Sequence, residues 1–234
     1  MKRFALALPL TLAACGEPAP EPAVTPTPEA TIAGPRTLIA ADLDLAQLGA
    51  RITGPNGDAI TAELGAGDAR VGTLTSYVAC PRDLTSCVPA ALPRDTIYTY
   101  VHRVTLGDAG TEEERAEPAD GPEVVENAPT LFRTTRAAAG FNGALGYSQG
   151  EALAALGSED AIRVSNDGGR LIWQVAPDAR WKPGSTITFW WQSTEPPAGP
   201  QHAYLVEVEG NQTAASGPFP AAPAPVEGSA EKGG

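Results

Sequence analysis

The amino-acid sequence predicts a mainly β fold, an antiparallel β-sandwich with one short helix. Most segments with regularly spaced apolar residues alternate with a period of two, as in strands with one buried face. Clusters of glycine, proline, asparagine and aspartate separate these segments, as expected for tight turns. Only one segment combines a capping residue with good helix formers. Many short strands with about one helix indicate a sandwich.

The first half of the chain contains five predicted strands, at residues 37–43, 50–54, 59–64, 70–79 and 96–106. The second and third flank Pro55-Asn56-Gly57-Asp58, a turn sequence typical of a hairpin. The fifth alternates most clearly. One of its faces carries Tyr98, Tyr100, His102, Val104 and Leu106, and the other carries Thr99, Arg103 and Thr105. We expect His102 to be a satisfied, half-buried side chain on this aromatic face.

The second half contains the predicted helix and five further strands, at residues 130–135, 161–165, 170–175, 186–193 and 203–209. Ser148 and Glu151 form a capping box before the helix formers at 152–156, and Gly157 ends the helix. Asn166-Asp167-Gly168-Gly169 predicts a hairpin between the second and third of these strands.

The predicted organisation is a single β-sandwich domain over residues 36–217, with a possible division at the acidic segment 107–129. Residues 15–35 and 218–234 are rich in proline and alanine without an apolar period, which predicts a disordered tether and a disordered tail. The acidic segment is interpreted as a solvated loop, with a docking site for cations or a basic partner as the alternative.

The net charge of −12 argues against nucleic acid as a partner. Beyond the first residues, the chain has only two lysines, Lys182 and Lys232, and no basic run. Binding to phosphates, or to anionic lipid headgroups through charge, needs such clusters.

The start of the chain has the pattern of an export signal. Lys2 and Arg3 precede an apolar run over residues 4–14, which is shorter than the roughly 20 residues that a spanning helix needs. Leu12-Ala13-Ala14-Cys15 followed by Gly16 resembles the lipobox of bacterial lipoproteins. The resemblance implies that residues 1–14 are a signal peptide, that Cys15 becomes lipidated and that the protein is anchored in the cell envelope. Since Gly16 is not aspartate, the outer membrane is favoured. An ordinary signal cut near Ala14 is the alternative.

Two further cysteines, Cys80 and Cys87, should form a disulfide in an oxidising compartment. A redox-active pair would need a C-x-x-C spacing near the start of a helix. A zinc site is disfavoured because His102 and His202, the two histidines, lie at unrelated spacings.

Residues 141–208 also resemble exported β-sandwich proteins of the exosortase-sorted class. The similar segments are Gly169-Arg170-Leu171-Ile172-Trp173 and Trp181-Lys182-Pro183-Gly184, followed by residues 189–193 and Pro196-Pro197. The sorting tail of that class is missing after residue 217. The resemblance supports the β architecture and the envelope address.

Residues 146–150, with the sequence GYSQG, match the G-x-S-x-G nucleophile elbow of α/β-hydrolases and resemble the serine motif of cutinases. A serine esterase would use Ser148 as nucleophile, His202 as base and Asp178, Asp160 or Asp167 to orient the histidine. The elbow belongs after a parallel strand, however, and parallel strands need long crossovers. The hairpin signals oppose that context, so Ser148 is predicted to cap the helix.

Adjacent tryptophans at 190 and 191 must point to opposite faces of one strand. Both pack against the protein, or one of them is exposed and binds a sugar or a partner. Oxygen donors that could bind calcium all lie in turns, where such residues are expected anyway: Asp42, Asp44, Asn56, Asp58, Asn166 and Asp167. We expect no metal and no cofactor.

These observations predict a lipid-anchored cell-envelope protein with a non-catalytic role, binding a partner protein, a glycan or a wall component. The alternatives are a serine esterase using Ser148 and a passive spacer. A spacer would differ from a binder in lacking an exposed aromatic surface around Trp190 or Trp191.

Overall fold

The structure is a computed structural model that describes residues 35–66, 69–107, 130–208 and 210–222. The predicted signal peptide, Cys15, the tether up to residue 34, the acidic segment from 108 to 129 and the tail from residue 223 lie outside the described residues.

The described part of the chain forms strands almost throughout, with one α-helix. In chain order the elements are β1 (Arg36–Leu38), β2 (Ala41–Asp42), β3 (Leu48–Arg51), β4 (Ile60–Ala66), β5 (Ala69–Pro81), β6 (Tyr98–Leu106), β7 (Leu131–Thr134), β8 (Phe141–Tyr147), α1 (Gln149–Leu156), β9 (Ile162–Asp167), β10 (Arg170–Val175), β11 (Thr186–Ser193), β12 (Pro197–Val208) and β13 (Asn211–Pro220). Short 3-10 turns occur at Leu45–Gln47 and Pro89–Ala91.

Two sheets form a β-sandwich, which confirms the predicted fold class. The six-stranded sheet has the order β1-β9-β10-β7-β12-β13, and all its pairs are antiparallel. The seven-stranded sheet runs β2-β8-β11-β6-β5-β3, with β4 also pairing β5. Its pairs are antiparallel except the short β2–β8 pair, where Ala41 lies opposite Gly146.

Aromatic side chains from both sheets fill the space between them. Phe132 on β7 lies within ring-contact distance of Phe189 at 5.0 Å, Trp173 at 5.3 Å and Tyr204 at 5.8 Å between centroids. Each such pair contributes about 0.5–1.5 kcal/mol beyond the area it buries. The predicted inner face of β6 is confirmed, because Tyr98, Tyr100, His102, Val104 and Leu106 are all buried and Arg103 is exposed.

His102 is a neutral, hydrogen-bonded core residue rather than the half-buried one expected. Its Nε2 accepts from the indole N–H of Trp191 at 3.1 Å, and its Nδ1 lies 2.9 Å from the Ser76 hydroxyl oxygen. Since Nε2 is an acceptor, Nδ1 carries the proton and donates to Ser76. Complete burial disfavours the charged ring and lowers the His102 pKa to about 3.

The predicted helix begins and ends as the sequence indicated. The Ser148 hydroxyl accepts from the Glu151 backbone N–H at 3.3 Å, and Gly157 ends the helix with a φ of 84°. The capping box is only half formed. The Glu151 carboxylate accepts from the backbone N–H of Thr188 at 2.6 Å, because the Ser148 N–H already donates to the Thr188 carbonyl at 2.8 Å. Both bonds tie the helix start to β11.

The predicted first strand over residues 37–43 is divided between the two sheets. β1 pairs with β9 in the six-stranded sheet, and β2 pairs with β8 in the other. The side chain of Ile39, between the two strands, is 95% exposed. Alternation in the sequence could not reveal this crossing, because both halves have an extended backbone.

The hairpin predicted around Pro55-Asn56-Gly57-Asp58 was wrong, although the turn itself forms. The Gly57 and Asp58 N–H groups both donate to the Gly54 carbonyl at 3.0 Å. The flanking strands do not pair with each other. β3 and β4 both pair with β5, on the side opposite β6. The turn therefore connects two strands that pair, one after the other, with the same edge of β5.

Two strands were not predicted. β8 lies in a glycine-rich segment where only the last three residues are buried, so it shows no alternation. β13 lies beyond residue 209, where the last predicted strand ends. It extends to Pro220, inside the predicted tail. Phe219 is fully buried, and the Tyr204 hydroxyl donates to the Pro218 carbonyl at 2.7 Å. Prolines are tolerated here because β13 is the last strand of its sheet.

Cys80 and Cys87 are bonded as predicted, with their Cα atoms 5.8 Å apart, and both are buried. The loop that they close contacts β3, where the Ala50 N–H donates to the Leu84 carbonyl at 2.9 Å. A loop of this length stabilises the fold by about 2 kcal/mol in the chain-entropy description.

His102 should make the protein sensitive to mild acid. In the unfolded chain this ring binds a proton near pH 6.5, the ordinary pKa of histidine, whereas the folded protein does so only near pH 3. The stabilisation is therefore complete above pH 6.5. It is lost as the pH falls toward 3, by about 1.4 kcal/mol per pH unit once the unfolded ring is protonated.

Urea unfolding followed between pH 7.5 and 4 measures this slope, and His102→Gln should flatten it. In the wild-type protein, the ring nitrogen NMR signals of His102 should remain those of the neutral Nδ1–H tautomer at pH 5. A charged His102 ring in folded protein at pH 5 would contradict the assignment.

Candidate functional site

Strand β11 directs its two adjacent tryptophans to opposite faces of the seven-stranded sheet. Trp191 belongs to the core between the sheets, where it stacks on Tyr100 with 4.3 Å between ring centroids. Its indole N–H donates a hydrogen bond to Nε2 of His102. Trp191 therefore holds the sandwich together and cannot be the exposed binding residue considered for it.

The outer face of this sheet carries a second, smaller apolar cluster. The strand register places Trp190 beside Val101, and Val101 beside Tyr77, in one row across β11, β6 and β5. The segment following β2 covers part of this row, because Leu43 and Leu48 pack on Tyr77, Ala79 and Val101. The Arg51 guanidinium lies 3.8 Å from the centroid of the Tyr77 ring.

A groove of about 520 Å³ lies beside Trp190 and is lined by the covering segment, the disulfide loop and the outer face of the sheet. We call it the Trp190 groove. One side of the groove, which we call its wall, is formed by residues 42–48, of which Asp42, Leu43, Asp44, Gln47 and Leu48 line the groove. The other lining residues are Pro81 and Arg82 from the disulfide loop, together with Ile97, Thr99, Trp190 and Gln192. The volume is in the range of roughly 300–1,000 Å³ that small-ligand sites occupy.

The indole N–H of Trp190 has no hydrogen-bond partner among the described residues, although the side chain is only 7% exposed. The other three tryptophans all donate. Trp173 donates to the Gly146 carbonyl at 2.8 Å, Trp181 to the Ser185 carbonyl at 3.3 Å and Trp191 to His102 at 3.1 Å. A buried donor left unpaired costs about 1–3 kcal/mol. Trp190 therefore has an unpaired hydrogen-bond donor and also lines a groove.

The two acidic side chains of the wall are fixed by backbone N–H groups. Asp42 Oδ1 accepts from Leu43 at 2.9 Å and from Gln149, the first residue of α1, at 2.8 Å. Asp44 Oδ1 accepts from the Ala46 N–H at 2.9 Å and caps the 3-10 turn. These bonds fix the two carboxylates, so the wall presents two negative charges, and Arg82 adds one positive charge to the lining of the groove.

The structure gives the GYSQG motif a structural explanation. A side chain at Gly146 would overlap the carbonyl oxygen of Ala41, so the approach of β2 requires glycine there. The Tyr147 hydroxyl donates to the Glu159 carbonyl at 2.8 Å. Ser148 has an unstrained backbone, with φ of −72° and ψ of 107°, and its hydroxyl caps α1. A nucleophile elbow would instead be strained.

The other members of the hypothetical triad lie elsewhere. His202 is on β12 of the six-stranded sheet, with its Nδ1 3.0 Å from the Ser216 hydroxyl oxygen. Asp178 is exposed in the turn after β10. Ser148 follows β8 of the seven-stranded sheet, and β8 is antiparallel to β11. None of the hydrogen bonds among the described residues joins Ser148, His202 and Asp178.

Two more of the oxygen donors considered for calcium accept hydrogen bonds within their own turns. Asp58 Oδ1 accepts from the Gly54 N–H at 2.7 Å, and Asn166 Oδ1 accepts from the Gly169 N–H at 2.8 Å. Within the described ranges, no three histidine, cysteine or acidic residues are grouped as ligands for a metal ion. None of the helices described there is both long and apolar enough to span a bilayer.

No family model, curated protein or solved structure matches this chain.

Sequence reasoning named Trp190 as one of two candidate binding residues and did not indicate the other residues of the groove. The alternation of Thr188, Trp190 and Gln192 along β11 could have indicated the shared outer face. The wall was missed because residues 43–48 were divided between a predicted strand and an unassigned stretch, and nothing in their pattern shows that they lie over the sheet.

A cap at Ser148 should contribute to stability and not to hydrolysis. We expect Ser148→Ala to lower the free energy of unfolding by about 1 kcal/mol. We also expect the folded wild-type protein not to react with a fluorophosphonate probe. Ser158→Ala, at an exposed serine, is the labelling control. A covalent adduct lost in Ser148→Ala but kept in Ser158→Ala would overturn the structural assignment of Ser148.

Proposed function

We propose that this chain is a lipid-anchored protein of the bacterial cell envelope with a non-catalytic binding role, and that the Trp190 groove is its binding site. The lipobox resemblance at residues 12–15 supports the anchor. The bonded pair Cys80 and Cys87 is consistent with an oxidising compartment outside the cytoplasm. The composition of residues 16–35 suits a spacer between the lipid and the sandwich.

The unpaired indole N–H of Trp190 is the observation that carries the binding role. Folded proteins pair nearly all their buried polar groups, so each exception needs an explanation. The exception at Trp190 lies in the lining of a groove with both apolar and polar side chains. A ligand with a hydrogen-bond acceptor would satisfy this donor and use the groove. A passive spacer gives no reason for the two features to occur at the same residue.

The anchor is tested by expressing the full precursor in a Gram-negative host and measuring the intact mass of the membrane-extracted protein. We expect cleavage before Cys15 and the added mass of a diacylglyceryl group. Cys15→Ala should abolish both, and Cys80→Ala with Cys87→Ala should leave the lipid in place. A mature protein that starts near residue 15 without lipid would indicate an ordinary secretory signal.

The binding role is tested on the mature chain without its lipid, residues 16–234, labelled with ¹⁵N. Neutral oligosaccharides and short capped peptides are titrated while the four indole N–H signals are recorded. A ligand of the groove should move the Trp190 signal and leave the signals of Trp173 and Trp191 unchanged, since those two donors are already bonded in the core. If neither ligand class moves the Trp190 signal, the groove is not a binding site and the spacer role is favoured.

A further inference from the structure

We propose that the ligand of the Trp190 groove is an extended peptide segment without acidic side chains, and that one of its backbone carbonyl groups accepts the hydrogen bond of the Trp190 indole. This inference rests on the proposed binding role of the groove and names the class of partner. It follows from what Trp190 offers, from the side chains around it and from the charges on the wall.

The unmet hydrogen-bonding capacity of Trp190 is its indole N–H, which the lining of the groove shields from water. Aromatic residues that bind sugars do so largely by stacking, which needs an exposed face. With only 7% of its surface exposed, Trp190 has little ring area available for a sugar. The free capacity of the side chain is its N–H, so its best ligand is one that brings an acceptor.

An extended peptide supplies such acceptors at every residue. Polyproline-like segments make no internal hydrogen bonds, so their carbonyl groups are free, and aromatic-lined grooves bind them. The Trp190 groove also contains Leu43, Leu48, Pro81 and Ile97, which can contact aliphatic or proline side chains. A sugar, with hydroxyl groups on most of its carbons, would leave this apolar lining largely unused.

The charges of the groove select against acidic peptides. Asp42 and Asp44 both lie on the wall, and their carboxylates are held by backbone N–H groups, so they cannot easily turn away from a ligand. Arg82 offsets one of these charges. The chain as a whole carries a net charge of −12. An uncharged or basic segment avoids the repulsion that an acidic one would meet.

The wall can yield to a peptide. The Trp190 N–H is shielded from water, so a carbonyl group must displace part of the lining to reach it. The 3-10 turn Leu45–Gln47 has no buried residue, and Leu45 is 55% exposed. A small outward shift of this turn would cost few apolar contacts, whereas β11 below it is fixed in the core.

The test titrates three capped peptides, acetyl-AAPXPA-amide with X as valine, lysine or glutamate, into the ¹⁵N-labelled mature chain of residues 16–234. We expect the valine and lysine peptides to shift the Trp190 indole proton downfield, as a new hydrogen bond forms. The glutamate peptide should bind about fivefold more weakly, because its carboxylate is repelled by those of Asp42 and Asp44. The indole signals of Trp173 and Trp191 should stay in place.

Trp190→Phe keeps an aromatic ring and removes the donor, so it should weaken binding of the valine peptide by about five- to tenfold. Thr188→Val is the matched control. Thr188 Oγ1 is the other buried polar atom without a partner among the described residues, on the same face of β11, but Thr188 does not line the groove. Its replacement should leave peptide affinity unchanged. The shift of the Trp190 indole signal is measured on the wild-type protein. The proposal can therefore still be tested if the Trp190→Phe variant does not fold.

Three results would overturn the proposal. Equal binding of the glutamate peptide would contradict the charge argument. An indole shift with neutral oligosaccharides but not with peptides would make the ligand a glycan, leaving the proposed function in place and ending this inference. No shift with either class would end both.

Discussion

The hydrogen bond between Trp191 and His102 is the constraint on which much of the molecule depends. It joins β11 to β6 inside the core, with the imidazole ring neutral and both of its nitrogens engaged. Because strand side chains alternate, fixing Trp191 inward forces Trp190 outward. The outer face of the seven-stranded sheet must therefore accommodate a large aromatic side chain, and the segment from Leu43 to Leu48 packs on part of that face.

The segment from Leu43 to Leu48 covers only part of this outer face, and the candidate site lies beside it. Leu43 and Leu48 bury Tyr77 and Val101, while the 3-10 turn between the two leucines remains outside. The disulfide loop forms the opposite side through Pro81 and Arg82. Asp42 links the wall to the first N–H of α1, where a negative charge is also favourable for the helix dipole. The groove is thus held by elements from three parts of the sequence.

Sequence patterns predicted the parts of the fold that depend on local alternation and turn chemistry. The faces of β6, the β9–β10 hairpin and the cap at Ser148 all followed from such patterns. Pairing between distant strands did not. The turn at residues 55–58 looks the same whether its flanking strands pair with each other or with β5. β13 was hidden by its prolines, since composition does not reveal that Tyr204 and the core bury Phe219.

The crossing at Ile39 has a mechanical consequence. A pull applied at residue 35 enters the sandwich through the three residue pairs that join β1 to β9 in one sheet. Three residues after Leu38 the chain joins the other sheet through β2, where Ala41 lies opposite Gly146. The two pairings thus lie within seven residues of the chain, and the wall of the groove begins in the second of them, at Asp42. A force applied at residue 35 therefore acts on the β1–β9 pair before it acts on β2 and on the groove that Asp42 lines.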